Sequence, residues 1–197
     1  MRKFSSNIIQ RLFIQRLWVV AAMMVLATGS AQAANPMQKI AASILADIHQ
    51  ATWITDGKSS HVAYVFFDPN CPYCHRLYES TRNEVKAGKL ELRWIPVGIL
   101  FPTSHDKAVA ILNAKDPLKA FYKNEDKYTM GDGGIDEDLG TPEVEKKLSA
   151  NEALLTRAQL GAVPVMLFYT NEGEAVLIQG APPSDRLAAI LAHIKEG

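Results

Sequence analysis

Val62-Ala63-Tyr64-Val65-Phe66-Phe67-Asp68-Pro69-Asn70-Cys71-Pro72-Tyr73-Cys74-His75 decides how this chain folds. The first six residues are apolar or aromatic throughout, the pattern of a strand buried on both faces. Pro72 suits the first turn of a helix, where its missing N–H costs nothing. The chain's only two cysteines, Cys71 and Cys74, therefore stand where a strand hands over to a helix. That placement suits thiol–disulfide exchange. A disulfide between them would close a very small ring and constrain little of the unfolded chain, so reactivity explains the pair better than stability does.

The chemistry needs a thiolate. An ordinary cysteine has a pKa of about 8.5, and the unpaired N–H groups and dipole of a helix N-terminus lower it. Cys71, beside the N-cap, is expected to be the exposed nucleophile. Cys74, one turn later, is expected to lie deeper and to resolve the mixed disulfide. Pro72 and Tyr73 complete the motif. His75 reads as a solvated helix residue or, when protonated, as a charge that stabilises the thiolate. The two sulfurs carry this chemistry without a cofactor or a metal.

Outward from the motif, the helix runs to Ala87 and stops at Gly88. Leu90 to Val97 alternates as a strand. Because a helix joins the two strands, they should pair in parallel. Residues Ser104 to Leu160 read as helical, broken at Pro117 and by the acidic, glycine-rich Gly131 to Asp138. Val163 to Tyr169 and Glu174 to Gln179 are strands joined by a turn at Asn171-Glu172-Gly173, hence antiparallel. Leu187, Ile190, Leu191 and Ile194 line a last helix begun near Ser184. Ahead of the motif, Met37 to Gln50 carries an amphipathic helix, Ala51 to Ile54 a short strand, and Asp56-Gly57 a turn signal. The expected fold is thus an α/β thioredoxin-like layout, with a helical insertion over about 100–160 between a β-α-β and a β-β-α half.

Gly161-Ala162-Val163-Pro164 opens the third strand of this layout. A cis Val163–Pro164 bond costs little. It would set the Val163 backbone beside the cysteines, ready to pair with an extended substrate peptide.

Residues 1–33 hold Arg2, Lys3, Arg11 and Arg16 and no acidic residue; an apolar run from Leu17 to Ala27 follows, then Ala31-Gln32-Ala33. This is the pattern of a cleaved signal peptide. The run is short for a membrane anchor, which needs about 20 residues. Removing it takes four of the 21 Lys+Arg and none of the 21 Asp+Glu. The acidic remainder speaks against nucleic acid as a partner. Export would place the pair where disulfides persist, in the periplasm. The expected organisation is a signal peptide over 1–33, a helix and linker over 34–60, and a catalytic domain over 61–197.

The string Tyr64 to Cys74 resembles the active-site segment of the DsbC/DsbG family of periplasmic disulfide isomerases and reductases. Similarity continues through Leu92 to Gly98, Ala108 to Leu112, Lys115-Asp116-Pro117, Asn151 to Leu154, and Val163-Pro164. The Cys-Pro-Tyr-Cys choice is most similar to the DsbG branch. The resemblance implies a nucleophile at Cys71, a resolving thiol at Cys74 and a cis-proline at Pro164. It also implies unfolded or misoxidised exported proteins as substrates and a membrane thiol reductant, or oxidant, as partner; the same thiolate chemistry serves disulfides and sulfenic acids, and the sequence does not choose between them. Two departures stand out. Residues 34–60 are too few for the family's N-terminal dimerisation domain, so a monomer is expected. Val163 replaces the family's usual threonine and resembles the DsbA oxidases, which makes a DsbA-like oxidase the alternative. Cys71 to His75 also matches C-x-x-C-H, the c-type haem attachment pattern of electron-transfer proteins.

Overall fold

The computed structural model describes residues 35–196. The expected signal peptide lies outside the described residues. Among those described, no helix is long and apolar enough to cross a membrane.

Five strands form one sheet: β1 (Ile54–Asp56), β2 (Val62–Phe67), β3 (Glu91–Pro96), β4 (Val165–Tyr169) and β5 (Ala175–Gln179), in spatial order β1-β3-β2-β4-β5. The helices are α1 (Pro36–Asp47), α2 (Pro72–Lys86), α3 (Ser104–Asn113), α4 (Pro117–Asp126), α5 (Pro142–Arg157) and α6 (Ser184–Leu191). Strand β2 is central. It runs parallel to β3, with Phe66 opposite Ile95, because α2 carries the chain back across the sheet. It runs antiparallel to β4, with Phe66 opposite Val165. This second pairing brings the start of β4, and with it Pro164, to the end of β2 where the cysteines follow. Strands β4 and β5 form the expected hairpin. Its turn is closed by Gly173 N–H donating to the Thr170 carbonyl at 2.8 Å, and Gly173 adopts φ +83°.

Helices α3, α4 and α5 lie between β3 and β4. Phe121 of α4 is fully buried, with ring centroids 5.0 Å from both Phe67 of β2 and Trp94 of β3. The helical block therefore shares the core of the sheet. Proline starts four of the helices: Pro36, Pro72, Pro117 and Pro142 each stand at the head of a helix whose N-cap side chain accepts from a backbone N–H.

The structure departs from the sequence reading at the N-terminal side. Strand β1 is Ile54–Asp56, not Ala51 to Ile54, and Asp56 belongs to the strand rather than to a turn. It pairs antiparallel with β3. The helix expected ahead of the motif forms as α1, whose Ala41, Ile44 and Leu45 are buried in the main core.

Candidate active site

Cys71 is the N-cap of α2, extended at φ −81° and ψ 116°, and its sulfur accepts from Cys74 N–H at 3.2 Å. On the other side the Cys71 thiol points at the Val163 carbonyl, 3.6 Å away. The Val163–Pro164 bond is cis. Neither cysteine is exposed: Cys71 is 2% and Cys74 1% accessible. The expectation of an exposed Cys71 is corrected here. The Val163 carbonyl stands against the sulfur, and the Cys71 N–H donates to the Asp68 carbonyl at 3.0 Å. Pro72 and Tyr73 are the exposed members of the motif, Tyr73 at 53% with the Arg76 guanidinium 5.1 Å from its ring centroid.

The two thiols are driven apart. The Cys71 thiol is lowered, first by the hydrogen bond from the Cys74 side chain, with the N–H groups of Cys74 and Tyr73 assisting against burial. The Cys74 thiol is raised well above its usual value by burial, then by its role as donor to Cys71. One sulfur is prepared to ionise and its neighbour to remain a donor.

His75 is not the solvated residue that its place on the helix suggests. Its Nδ1 lies 3.0 Å from Glu125 Oε2, and its ring stacks on Tyr128 with centroids 4.3 Å apart and planes 11° from parallel. The hydrogen bond to Glu125 raises the imidazole's pKa. Burial raises that of Glu125.

Several residues that the sequence reading passed over hold the motif in place. Asp68, fully buried, accepts from Asn70 N–H and the Ser104 hydroxyl with one oxygen, and from Ile99 and Leu100 N–H with the other. The Asn70 side-chain oxygen accepts from Lys107 Nζ at 3.2 Å and Gly133 N–H at 3.0 Å. Lys107, 5% exposed, also reaches Asp132 and the Gly133 carbonyl. Asn124 donates to the Pro69 carbonyl at 3.0 Å and Tyr128 to that of Asn70 at 3.2 Å. Two sequence signals pointed this way. Lys107 directly precedes the apolar run Ala108 to Leu112, and Asn124 and Glu125 share the buried helical face of Phe121.

The same bonds fix an apolar rim. Ile99, Leu100 and Phe101 are 40%, 39% and 48% exposed, and Met130 is fully so. With Tyr73 they stand on the segments tied to residues 68–71. Cys71, Cys74, Val163 and Pro164 thus converge, with Pro72 starting the helix that holds both sulfurs. Among the described residues no cluster of three His, Cys, Asp or Glu is arranged to hold a metal ion.

The thioredoxin-like domain family matches residues 49–195. The chain is 36% identical over 174 residues to the thiol:disulfide interchange protein DsbG of Pseudomonas aeruginosa, covering 84% of this chain and 67% of that protein. To DsbG of Escherichia coli it is 31% identical over 148 residues, covering 74% of this chain and 59% of that protein. The chain thus spans roughly two thirds or less of these relatives. Among solved structures it is similar to Proteus mirabilis ScsC in a compact conformation, with TM-score 0.60, 21% identity and 92% of each chain covered. It is also similar to α-DsbA2 from Wolbachia pipientis, with TM-score 0.60, 17% identity, and 81% of this chain and 98% of that one covered. At these identities the two structures speak to the fold alone.

Proposed function

The chain belongs to the thioredoxin-like domain family, with DsbG thiol:disulfide interchange proteins among its relatives, and from that premise we propose that it reduces or isomerises disulfides in exported proteins through Cys71 and Cys74. Two thiols one helical turn apart, the first at the N-cap of α2 and held between the Cys74 N–H and the Val163 carbonyl, carry this reading. The Cys71 thiolate attacks a substrate disulfide and releases one substrate thiolate. Cys74 then attacks the mixed disulfide, or a second substrate thiol does so and leaves the substrate isomerised. The same thiolate suits a substrate sulfenic acid: the S–S bond of a mixed disulfide forms as the S–O bond breaks, and the hydroxide that leaves takes a proton from solvent to become water. The rim of Ile99, Leu100, Phe101 and Met130 suits chains with exposed apolar side chains. The leader pattern of residues 1–33 supports the periplasm as its place and a membrane thiol reductant as the source of its electrons. We take the catalytic unit as a monomer.

A Cys74→Ser variant tests the roles. It should accumulate mixed disulfides with client proteins, whereas Cys71→Ser should accumulate none and lose exchange altogether. Trapping through Cys74 in the Cys71→Ser variant would reverse the assignment. Val163 favours a second reading, an oxidase, because no hydroxyl stands there to bond a thiolate. Acid-quenched cells, alkylated with a mass-tagged thiol reagent, separate the two. A reduced pair supports the reductase or isomerase, and an oxidised pair the oxidase.

A further inference from the structure

Helix α4 of the insertion delivers a carboxylate to the cysteine motif. The Glu125 side chain is 2% exposed. One of its oxygens meets His75 Nδ1 at 3.0 Å, and the other accepts from Asn124 Nδ2 at 3.0 Å. Asn124 in turn holds the Pro69 carbonyl, and Tyr128, stacked on His75, holds that of Asn70. Glu125 is therefore wired to the residue after Cys74 and to both residues before Cys71. The exchange steps above make no use of it.

We propose that Glu125 is a positioning residue for the resolving step, setting through His75 how readily Cys74 gives up its proton. The inference rests on the exchange reading above. In the mixed disulfide, Cys74 must lose its proton and attack the Cys71 sulfur. The Cys71–Cys74 disulfide forms, the substrate leaves as a thiolate, and water returns a proton to it. The enzyme dithiol is oxidised by two electrons and the substrate disulfide reduced. A buried negative charge near Cys74 opposes its ionisation, and Glu125 acts in that sense. The imidazolium of His75, held against Glu125, masks that charge. His75 is faced by Tyr78 and Glu79 of its own helix, by Glu125 and Asp126 of α4, and by Tyr128. Glu125 is faced by His75 and, further off, by Arg82. Of these, the Glu125 carboxylate alone is both buried and in hydrogen-bond contact with the imidazole.

The two partners then act on Cys74 with opposite sign, which a packing role cannot imitate. The reduced protein is mixed with 5,5′-dithiobis(2-nitrobenzoate) in a stopped-flow instrument. The first coloured thiolate reports attack by Cys71, and the second, unimolecular release reports resolution by Cys74. Glu125→Gln should speed the second release by about tenfold, the equivalent of one pKa unit. His75→Gln, measured at pH 6 where the wild-type imidazole carries its proton, should slow it by a similar factor. Glu125→Asp should restore a rate near that of the wild type. Slowing in both variants, or no change in either, overturns the proposal; if Glu125→Gln fails to fold, the sign of the His75→Gln effect decides. A wild-type protein with no second release would instead refute the exchange reading itself.

Discussion

At the scale of single residues, the site depends on side chains far from the motif in sequence, and Gly133 is the most confined of them. A Cβ there would run into the Pro69 carbonyl oxygen and the Asn124 amide. Pro69 stands two residues before Cys71 and its neighbours are pinned, so the added atom cannot be absorbed by a flexible side chain. Gly133→Ala should cost about 1–3 kcal/mol, the usual penalty for overpacking. It should also slow alkylation of Cys71 by iodoacetamide at pH 7; urea unfolding and a timed alkylation read the two effects. Cys71, Pro72, Cys74 and Pro164 were legible because their chemistry is written in a short string. Asp68, Asn70, Lys107, Asn124, Glu125 and Tyr128 were not, because each acquires its role from a partner that only the fold supplies. His75 shows the difference well. Its place on α2 predicts a wet residue, and Glu125, 50 positions later, makes it half of an ion pair.

At the scale of elements, one carboxylate fastens three of them. Asp56 of β1, fully buried, accepts from Arg82 of α2 at 2.5 Å, from the Trp94 indole of β3 at 3.0 Å and from the Tyr122 hydroxyl of α4 at 2.6 Å. Arg82 also lies 4.0 Å over the Tyr78 ring. Asp56→Ala would strand a cation, an indole N–H and a phenol. Breaking a buried pair in this way costs about 3–5 kcal/mol. The urea midpoint of the variant should fall accordingly, with the slope of the transition unchanged. The same residue explains why β1 was misplaced from sequence. Asp-Gly is a turn signal, but the three donors hold Asp56 in the sheet and leave Gly57, at φ +90°, to turn alone. The parallel β2–β3 pair and the β4–β5 hairpin were readable because each is set by the connection between neighbouring strands. The β2–β4 and β1–β3 pairings join more distant segments, and no local pattern announces them.

At the scale of the whole molecule, stability should carry the signature of the buried pair. His75 and Glu125 are both raised. A group raised on folding contributes stability that is complete below its unfolded pKa and is lost as pH climbs through its folded one. For His75 that loss begins near pH 6.5. A Cys71→Ser/Cys74→Ser variant, free of thiol titration, should therefore show urea midpoints that decline from pH 6 to pH 8. Adding His75→Gln should flatten the decline; an equal slope in both would place its source elsewhere. The contact between Cys71 and the Val163 carbonyl spans 92 residues of sequence. A ribosome thus releases the cysteine long before the loop that will cover it, and also before the helices that grip its neighbours. Throughout synthesis both sulfurs are ordinary thiols, no more inclined to react than those of any unfolded chain. Completion of the fold lowers one thiol and raises the other, so the division of labour between the two sulfurs exists only in the finished domain.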